Sequence, residues 1–137
     1  MLRIREVIAG LAGLTAPRYV ILMHIAYLQA EGGVSVKAIA GAMGVKAPFV
    51  VTEVNHLIQA GLVLKRKNLK DRRGVLLSLT SRGRRTVEQL APQLRMVHDQ
   101  VFGELTRKEF LVASRVCRML VRDLHAALKM FSAIGKM

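Results

Sequence analysis

The chain has 137 residues, of which 52% are apolar, and a formal net charge of +13. This composition can supply the hydrophobic core of one domain and argues against intrinsic disorder, while the single cysteine, Cys117, leaves no intrachain disulfide and favours a reducing compartment. No run approaches the roughly 20 apolar residues that cross a bilayer, so we expect a cytoplasmic protein without a membrane partner.

The chain begins with two predicted helices. Residues 2–14 form a short apolar helix, and Thr15 caps a second helix that runs to about Ala30. Pro17 falls in its first turn, where the missing N–H costs nothing. The apolar residues expected to be buried in this second helix are Val20, Ile21, Leu22, Ile25 and Leu28.

The next two predicted helices are short and closely spaced. Ser35 can cap a third helix that ends at Gly44, and a fourth helix starts near Pro48 and ends at Gly61. One face of the fourth helix is apolar, with residues at i, i+4, i+7 and i+8: Val50, Val54, Leu57 and Ile58. Two such helices joined at a glycine turn indicate a helix-turn-helix.

After the fourth helix the period of the pattern changes from helical to extended. Leu62–Lys67 predicts a strand, Asn68–Gly74 a turn, and Val75–Leu79 a second strand whose Leu77 and Leu79 alternate inward. The two strands form a β-hairpin, which is called the wing below.

Positive charge is concentrated in and just after the wing. Between Lys65 and Arg85 there are nine basic residues and one acid, Asp71, so this segment carries +8 of the total of +13. The basic residues are Lys65, Arg66, Lys67, Lys70, Arg72, Arg73, Arg82, Arg84 and Arg85. A local excess of this kind is typical of a surface that meets a polyanion, and it predicts a DNA-binding wing.

Two long helices are predicted to end the chain. Thr80 starts a fifth helix that extends to about Gly103, and Thr106 with Glu109 has the spacing of a capping box for a sixth that ends near Ile134. The apolar positions of the sixth helix span more than one face: Phe110, Leu111, Val116, Met119, Leu120, Leu124, Leu128 and Phe131. One small domain cannot cover all of them, so we expect a homodimer.

The wing and the start of the fifth helix carry a recognisable motif. Residues 71–83, DRRGVLLSLTSRG, resemble the DxRxxxLxLTxxG signature of MarR-family transcriptional regulators, and Leu14-Thr15-Ala16-Pro17 and Gly61-Leu62-Val63 are similar to two further segments of that family. The resemblance implies a mainly α (α+β) winged helix-turn-helix that forms a homodimer and binds pseudo-palindromic double-stranded DNA. It also implies a repressor that a small-molecule effector releases.

The resemblance divides the chain into functional segments. Residues 15–83 correspond to the winged helix-turn-helix lobe, with the wing at 62–80, and residues 1–14 and 84–137 to dimerisation helices of one MarR-like domain. The first helix is shorter than is usual in the family, which places more of the dimer interface on residues 107–134. The positions that usually hold Ser, Thr and Arg in the recognition helix hold Phe49, Val51 and Thr52, with Glu53 beside them.

Two sets of residues are predicted to contact DNA. On the fourth helix, the base-reading candidates are Val51, Thr52, Asn55 and His56, because an amide can pair with adenine and an apolar side chain can meet a thymine methyl. In the wing, Arg72 and Arg73 are expected to enter the minor groove, with Asp71 orienting one guanidinium. Four further cations are expected to contact phosphates: Lys65, Lys67, Lys70 and Arg84.

Other kinds of site are weakly indicated or absent from the pattern. The four histidines are scattered without a metal-ligand spacing, and no nucleophile-base arrangement or phosphate-binding glycine loop occurs, so we predict neither an enzyme nor a cofactor. Cys117 is expected to be a buried free cysteine rather than a redox switch. Two alternative functions remain: a low-specificity architectural DNA-binding protein, and a protein-interaction module that docks through Phe49 and Val51.

Overall fold

The computed structural model describes residues 2–29 and 32–134. In chain order the elements are α1 (Leu2–Leu11), α2 (Ala16–Leu28), β1 (Val34–Ser35), α3 (Val36–Met43), α4 (Ala47–Gln59), β2 (Val63–Lys67), β3 (Val75–Leu79), α5 (Ser81–Phe102) and α6 (Arg107–Ile134). The chain forms two compact units, one up to Leu94 and one from Arg95 onward. Met1 and residues 135–137, which the predicted dimerisation segments include, lie outside the described residues.

The two helices at the start of the chain are shorter than predicted. α1 ends at Leu11 because the chain turns there, and the Leu14 N–H donates to the Ala9 carbonyl at 2.9 Å. Thr15 precedes α2 in an extended conformation, but its side chain makes no capping hydrogen bond. α2 ends at Leu28, which is 37% exposed rather than buried. The predicted end at Ala30 lies outside the described residues.

α3 and α4 form the predicted helix-turn-helix. The Ser35 hydroxyl caps α3 by accepting a hydrogen bond from the Ala38 N–H at 3.1 Å. Gly44 ends α3 in the left-handed region, at φ 67° and ψ 32°, where a side chain would be strained. α4 then buries Val50, Val54 and Leu57, as the spacing predicts.

The wing hairpin belongs to a three-stranded antiparallel sheet with the order β1-β3-β2. β2 and β3 pair from Val63 with Leu79 to Lys67 with Val75, which confirms the predicted hairpin. β1 was not predicted, and it adds only Val34 and Ser35 to the outer side of β3. β2 therefore has a single neighbouring strand and forms an edge of the sheet.

One hydrophobic core joins the helix-turn-helix to the sheet. Its fully buried side chains come from α2, α3, α4 and the two wing strands: Ile21, Leu22, Ile25, Ile39, Val50, Leu57, Val63 and Leu77. This core fixes the recognition helix relative to the wing. The mainly helical fold with a small antiparallel sheet, predicted from the sequence, is confirmed.

The helices at the start of the chain also bear on membrane insertion. In the described part of the chain, no single helix is long and apolar enough to cross a membrane. The helical segments Arg3–Leu11 and Ala16–Leu28 are long and apolar enough for a membrane span only if they are counted together. The chain bends by 77° between them.

The second unit contains the capped start of α6. The Thr106 N–H and hydroxyl donate to the Glu109 carboxylate at 2.8 and 2.9 Å, and the Glu109 N–H donates back to the Thr106 hydroxyl at 3.3 Å, as the capping box predicts. These hydrogen bonds lower the pKa of Glu109. No side chain of α6 is buried.

Candidate nucleic-acid interface

The outward face of α4 carries the four predicted base-reading residues. Val51, Thr52, Asn55 and His56 are all exposed, opposite the buried side of the helix. They form two adjacent rows at i, i+4 spacing, Val51 with Asn55 and Thr52 with His56. The Thr52 hydroxyl donates to the Pro48 carbonyl at 3.1 Å, so its proton is used within the helix and the oxygen remains an acceptor.

Glu53 does not belong to this outward face. Its carboxylate is half-buried and accepts a hydrogen bond from the Arg18 guanidinium of α2 at 2.9 Å. The pair neutralises the acid and ties α2 to the recognition helix. The sequence gives no local signal for this pair, because Arg18 lies 35 positions from Glu53.

The tip of the wing is built by two side chains that hold its backbone. Asn68 accepts a hydrogen bond from the Lys70 N–H, and Asp71 accepts one from the Arg73 N–H, each at 3.1 Å. The Asn68 N–H donates to the Gly74 carbonyl at 3.1 Å and closes the loop. Two successive Asx turns of this kind give the loop a defined shape before any partner binds.

The structure corrects the predicted role of Asp71. Within residues 2–29 and 32–134, no ion pair links its carboxylate to an arginine guanidinium. The carboxylate instead holds the backbone N–H of Arg73, so it shapes the turn that carries the arginines. Asp71 therefore constrains the backbone of the loop and does not orient the guanidinium group of Arg72 or Arg73.

All nine cations of the wing and the start of α5 are exposed. None of them forms an ion pair within the part of the chain that the structure describes. Their mutual repulsion is therefore unrelieved, and phosphates would relieve it. Leu69 lies among these cations at the wing tip, and its side chain is 96% exposed. This residue was not singled out from the sequence, although it interrupts a charged run.

A compact junction connects the wing to the recognition helix and to α5. The Thr80 hydroxyl donates to the Gly61 carbonyl at 2.6 Å and accepts a hydrogen bond from the Gly83 N–H at 2.9 Å. The Thr80 N–H donates to the Leu62 carbonyl at 3.1 Å. A Cβ atom at position 83 would overlap that same carbonyl oxygen. The threonine and glycine of the signature therefore fasten the start of α5 to the exit of α4.

A cavity of about 610 Å³ opens beside the helix-turn-helix in the first unit. Its walls come from α1, α2, the end of α3 and the start of α4: Arg5, Glu6, Ala16, Pro17, Val20, His24, Ala42, Met43, Val45 and Phe49. The lining is mostly apolar, with one cation at Arg5 and one acid at Glu6. His24 already has one ring nitrogen 2.8 Å from the Val20 carbonyl oxygen.

One other predicted feature differs in the structure. Cys117 is exposed on α6 and not buried, because no element among the described residues covers that face of the helix. In the described residues, no group of three or more His, Cys, Asp or Glu side chains could hold a metal ion.

Comparison with known proteins gives consistent matches. The MarR family model matches residues 14–75. The HTH-type transcriptional repressor MdtR of Bacillus subtilis is 31% identical over 101 residues, which cover 74% of this chain and 65% of that protein. The chain thus matches slightly less than two thirds of that relative's length.

Solved structures share the fold at low sequence identity. A mutant MarR from E. coli complexed with operator DNA has a TM-score of 0.69 at 20% identity, with 86% of this chain and 83% of that chain covered. CouR from Rhodococcus jostii, bound to p-coumaroyl-CoA, has a TM-score of 0.71 at 24% identity, with 87% and 80% covered. At these identities the two matches show a shared fold.

Proposed function

We propose that this protein is a MarR-family transcriptional regulator, a cytoplasmic homodimeric repressor that binds specific double-stranded DNA sequences, because the MarR family model matches residues 14–75. The observation that carries the proposal is that one core holds both an exposed face of α4 and a hairpin rich in cations that form no ion pair with any described residue. The protein acts by binding, without catalysis or a cofactor. Residues 15–83 form the DNA-binding lobe, with the wing at 62–80.

The two surfaces have different tasks in this proposal. Val51, Thr52, Asn55 and His56 read base edges in the major groove, because their side chains are exposed on one face of α4. Lys65, Lys67, Lys70 and Arg84 contact phosphates, which position the protein without specifying sequence. Arg72 and Arg73 enter the minor groove from a loop whose shape Asp71 maintains.

Replacing one residue from each surface tests this division. Asn55→Ala removes a base contact and no charge, so the ratio of operator to nonspecific affinity should fall by about tenfold or more while the salt dependence stays the same. Lys65→Ala should weaken binding to all sequences alike and reduce the slope of log affinity against log salt by about one for each wing that contacts the DNA, or about two for the dimer. Titration of labelled operator and scrambled duplexes over a salt series measures both quantities.

The same titrations separate the proposal from its two alternatives. An architectural protein would bind scrambled DNA as tightly as any selected site, with Asn55→Ala leaving the ratio unchanged. The observation that favours this alternative is the limited hydrogen-bonding capacity of Val51 and of the back-bonded Thr52. A protein-interaction module would dock through Phe49 and Val51, which are 41% and 45% exposed, and would show no salt-dependent DNA binding.

We assign dimerisation to residues 1–14 and 84–137, chiefly to α6. Large apolar side chains on α6 are widely exposed, among them Leu120 at 64% and Phe131 at 72%. A second copy of the chain that covers them would create a two-fold axis, and this symmetry is the basis for a pseudo-palindromic operator.

The cavity beside the helix-turn-helix supports the proposed small-molecule effector. Its walls are mostly apolar, with the Arg5 cation and the Glu6 carboxylate at its edge, so it suits a hydrophobic ligand whose carboxylate pairs with Arg5 and lies away from Glu6. Phe49 connects the cavity directly to the start of the recognition helix. CouR, a structural neighbour, is bound to p-coumaroyl-CoA. A ligand seated here would favour one position of α4 and thereby change operator affinity.

Arg5→Gln tests the ligand chemistry. We expect a panel of aromatic and aliphatic carboxylates to include a compound that raises the melting temperature of the protein and weakens operator binding. Arg5→Gln should weaken that compound's affinity by about tenfold, the size of one charge-assisted hydrogen bond. Arg3→Gln is the control, since Arg3 is exposed and does not line the cavity. Equal losses in both variants would contradict the assignment.

A further inference from the structure

The basic residues of α6 all lie on one side of the helix. At about 100° per residue, they fall within an arc of about 100°. They are Arg107, Lys108, Arg115, Arg118, Arg122 and Lys129. The two acids of the helix lie outside this arc: Glu109 is bound to Thr106, and Asp123 is paired with Arg122 at 3.0 Å. We call these six cations the α6 basic face.

Most of the positive charge of the α6 basic face has no acidic partner on the helix. All six side chains are exposed, and apart from Arg122 none forms an ion pair within the described ranges of the chain. Arg115, Arg118 and Arg122 follow at i, i+3 and i+7, so like charges are adjacent along the helix and repel one another. These three arginines and Met119 surround an open groove of about 490 Å³, which can admit a phosphate group.

The length of this face indicates the shape of its partner. Arg107 and Lys129 are separated by about 33 Å along the helix axis. A small anion would meet only two or three of the cations, whereas an extended polyanion can meet all of them. A DNA backbone, with a phosphate about every 3.4 Å along each strand, matches a straight row of charges of this length.

We propose that the α6 basic face is a second, sequence-independent DNA-binding surface, in addition to the wing and the recognition helix. It binds duplex phosphates, and it leaves the choice of operator to α4. An anionic membrane is the less suitable partner, because an interfacial helix must bury its apolar face in lipid. In the proposed dimer, that apolar face is already covered by the second copy.

The test removes three charges from the centre of the face. In full-length protein, the triple variant Arg115→Gln, Arg118→Gln and Arg122→Gln should reduce the slope of log affinity against log salt for long nonspecific duplex by about three for each subunit whose α6 contacts the duplex. The ratio of operator to nonspecific affinity should remain unchanged. Replacing the same arginines by Lys should preserve the slope, because a nonspecific phosphate contact depends on the positive charge and not on the planar guanidinium group. Arg118→Gln alone should lower the slope by about one for each subunit whose α6 contacts the duplex. Circular dichroism checks that the variants keep the fold, and sedimentation checks that they keep the oligomeric state.

A matched control separates a binding surface from an effect of net charge. Arg3→Gln combined with Arg95→Gln removes two exposed cations outside both surfaces and should leave the slope nearly unchanged. The proposal is overturned if the α6 triple variant keeps the original slope, or if the control pair lowers it as much per charge. It is also overturned if the triple variant binds phosphatidylserine vesicles more weakly than the parent protein but binds duplex DNA equally well. Failure of Asn55→Ala to alter specificity would instead contradict the regulator proposal and leave this one standing.

Discussion

Leu124→Glu is expected to convert the protein from a dimer to a monomer and to abolish operator binding at ordinary concentrations. Leu124 is 61% exposed in the chain and lies on the apolar side of α6, between Leu120 and Leu128. In a two-fold dimer each substitution occurs twice, so two unpaired carboxylates would be buried. The cost should be at least about 3 kcal/mol, or more than 100-fold in the dimer dissociation constant.

Sedimentation at micromolar concentration measures this result directly. The parent protein should have about twice the chain mass of 15.2 kDa, and the variant should have the chain mass. Ala126→Glu is the matched control, because Ala126 is exposed on the same helix but lies within the arc of the basic face. If the parent protein is already a stable monomer, both the dimer and the palindromic operator are wrong.

Gly83→Ala is the second substitution with a large expected effect. The new Cβ would overlap the Leu62 carbonyl oxygen, and that oxygen already accepts the Thr80 N–H. The start of α5 must then move away from the exit of α4, which breaks hydrogen bonds at the junction. We expect the free energy of unfolding to fall by about 2–4 kcal/mol.

Urea denaturation followed by circular dichroism checks this expectation. Gly10→Ala is an informative control, because a Cβ there meets nothing within 4 Å and Gly10 lies inside α1. It should be neutral or stabilising by about 0.5–1 kcal/mol, as is usual when Ala replaces Gly in a helix. Thr80→Val should destabilise and Thr80→Ser should not, because only the hydroxyl bridges Gly61 and Gly83. Equal denaturation midpoints for Gly83→Ala and the parent protein would show that the junction is not tightly constrained.

Features set by neighbouring residues were predictable from the sequence. The hairpin follows from the change of period after Gly61, and its register is fixed because a slip would expose Leu77 and Leu79. The exposed and buried sides of α4 follow from helical spacing, and the capping box at Thr106 from a local motif.

Features that depend on packing between distant segments were not predictable. β1 contains two residues and exists only because β3 lies beside it. The Arg18–Glu53 pair requires α2 to pack against α4. The role of Asp71 was misjudged because a carboxylate beside arginines suggests an ion pair, whereas the turn geometry presents a backbone N–H first. The exposure of Cys117 likewise reflects a helix face that this chain does not cover by itself.

The edge position of β2 has a consequence for self-association. An edge strand offers unpaired backbone N–H and C=O groups to any other strand, and such edges promote aggregation unless charge blocks them. β2 carries Lys65, Arg66 and Lys67 in succession, so a second copy that added its own β2 would bring like charges together. The cations that attract DNA would thus also keep wings of different molecules from joining. A variant with all three replaced by apolar residues should precipitate or form fibrils before its DNA affinity can be measured, whereas acidic replacements should remain dispersed.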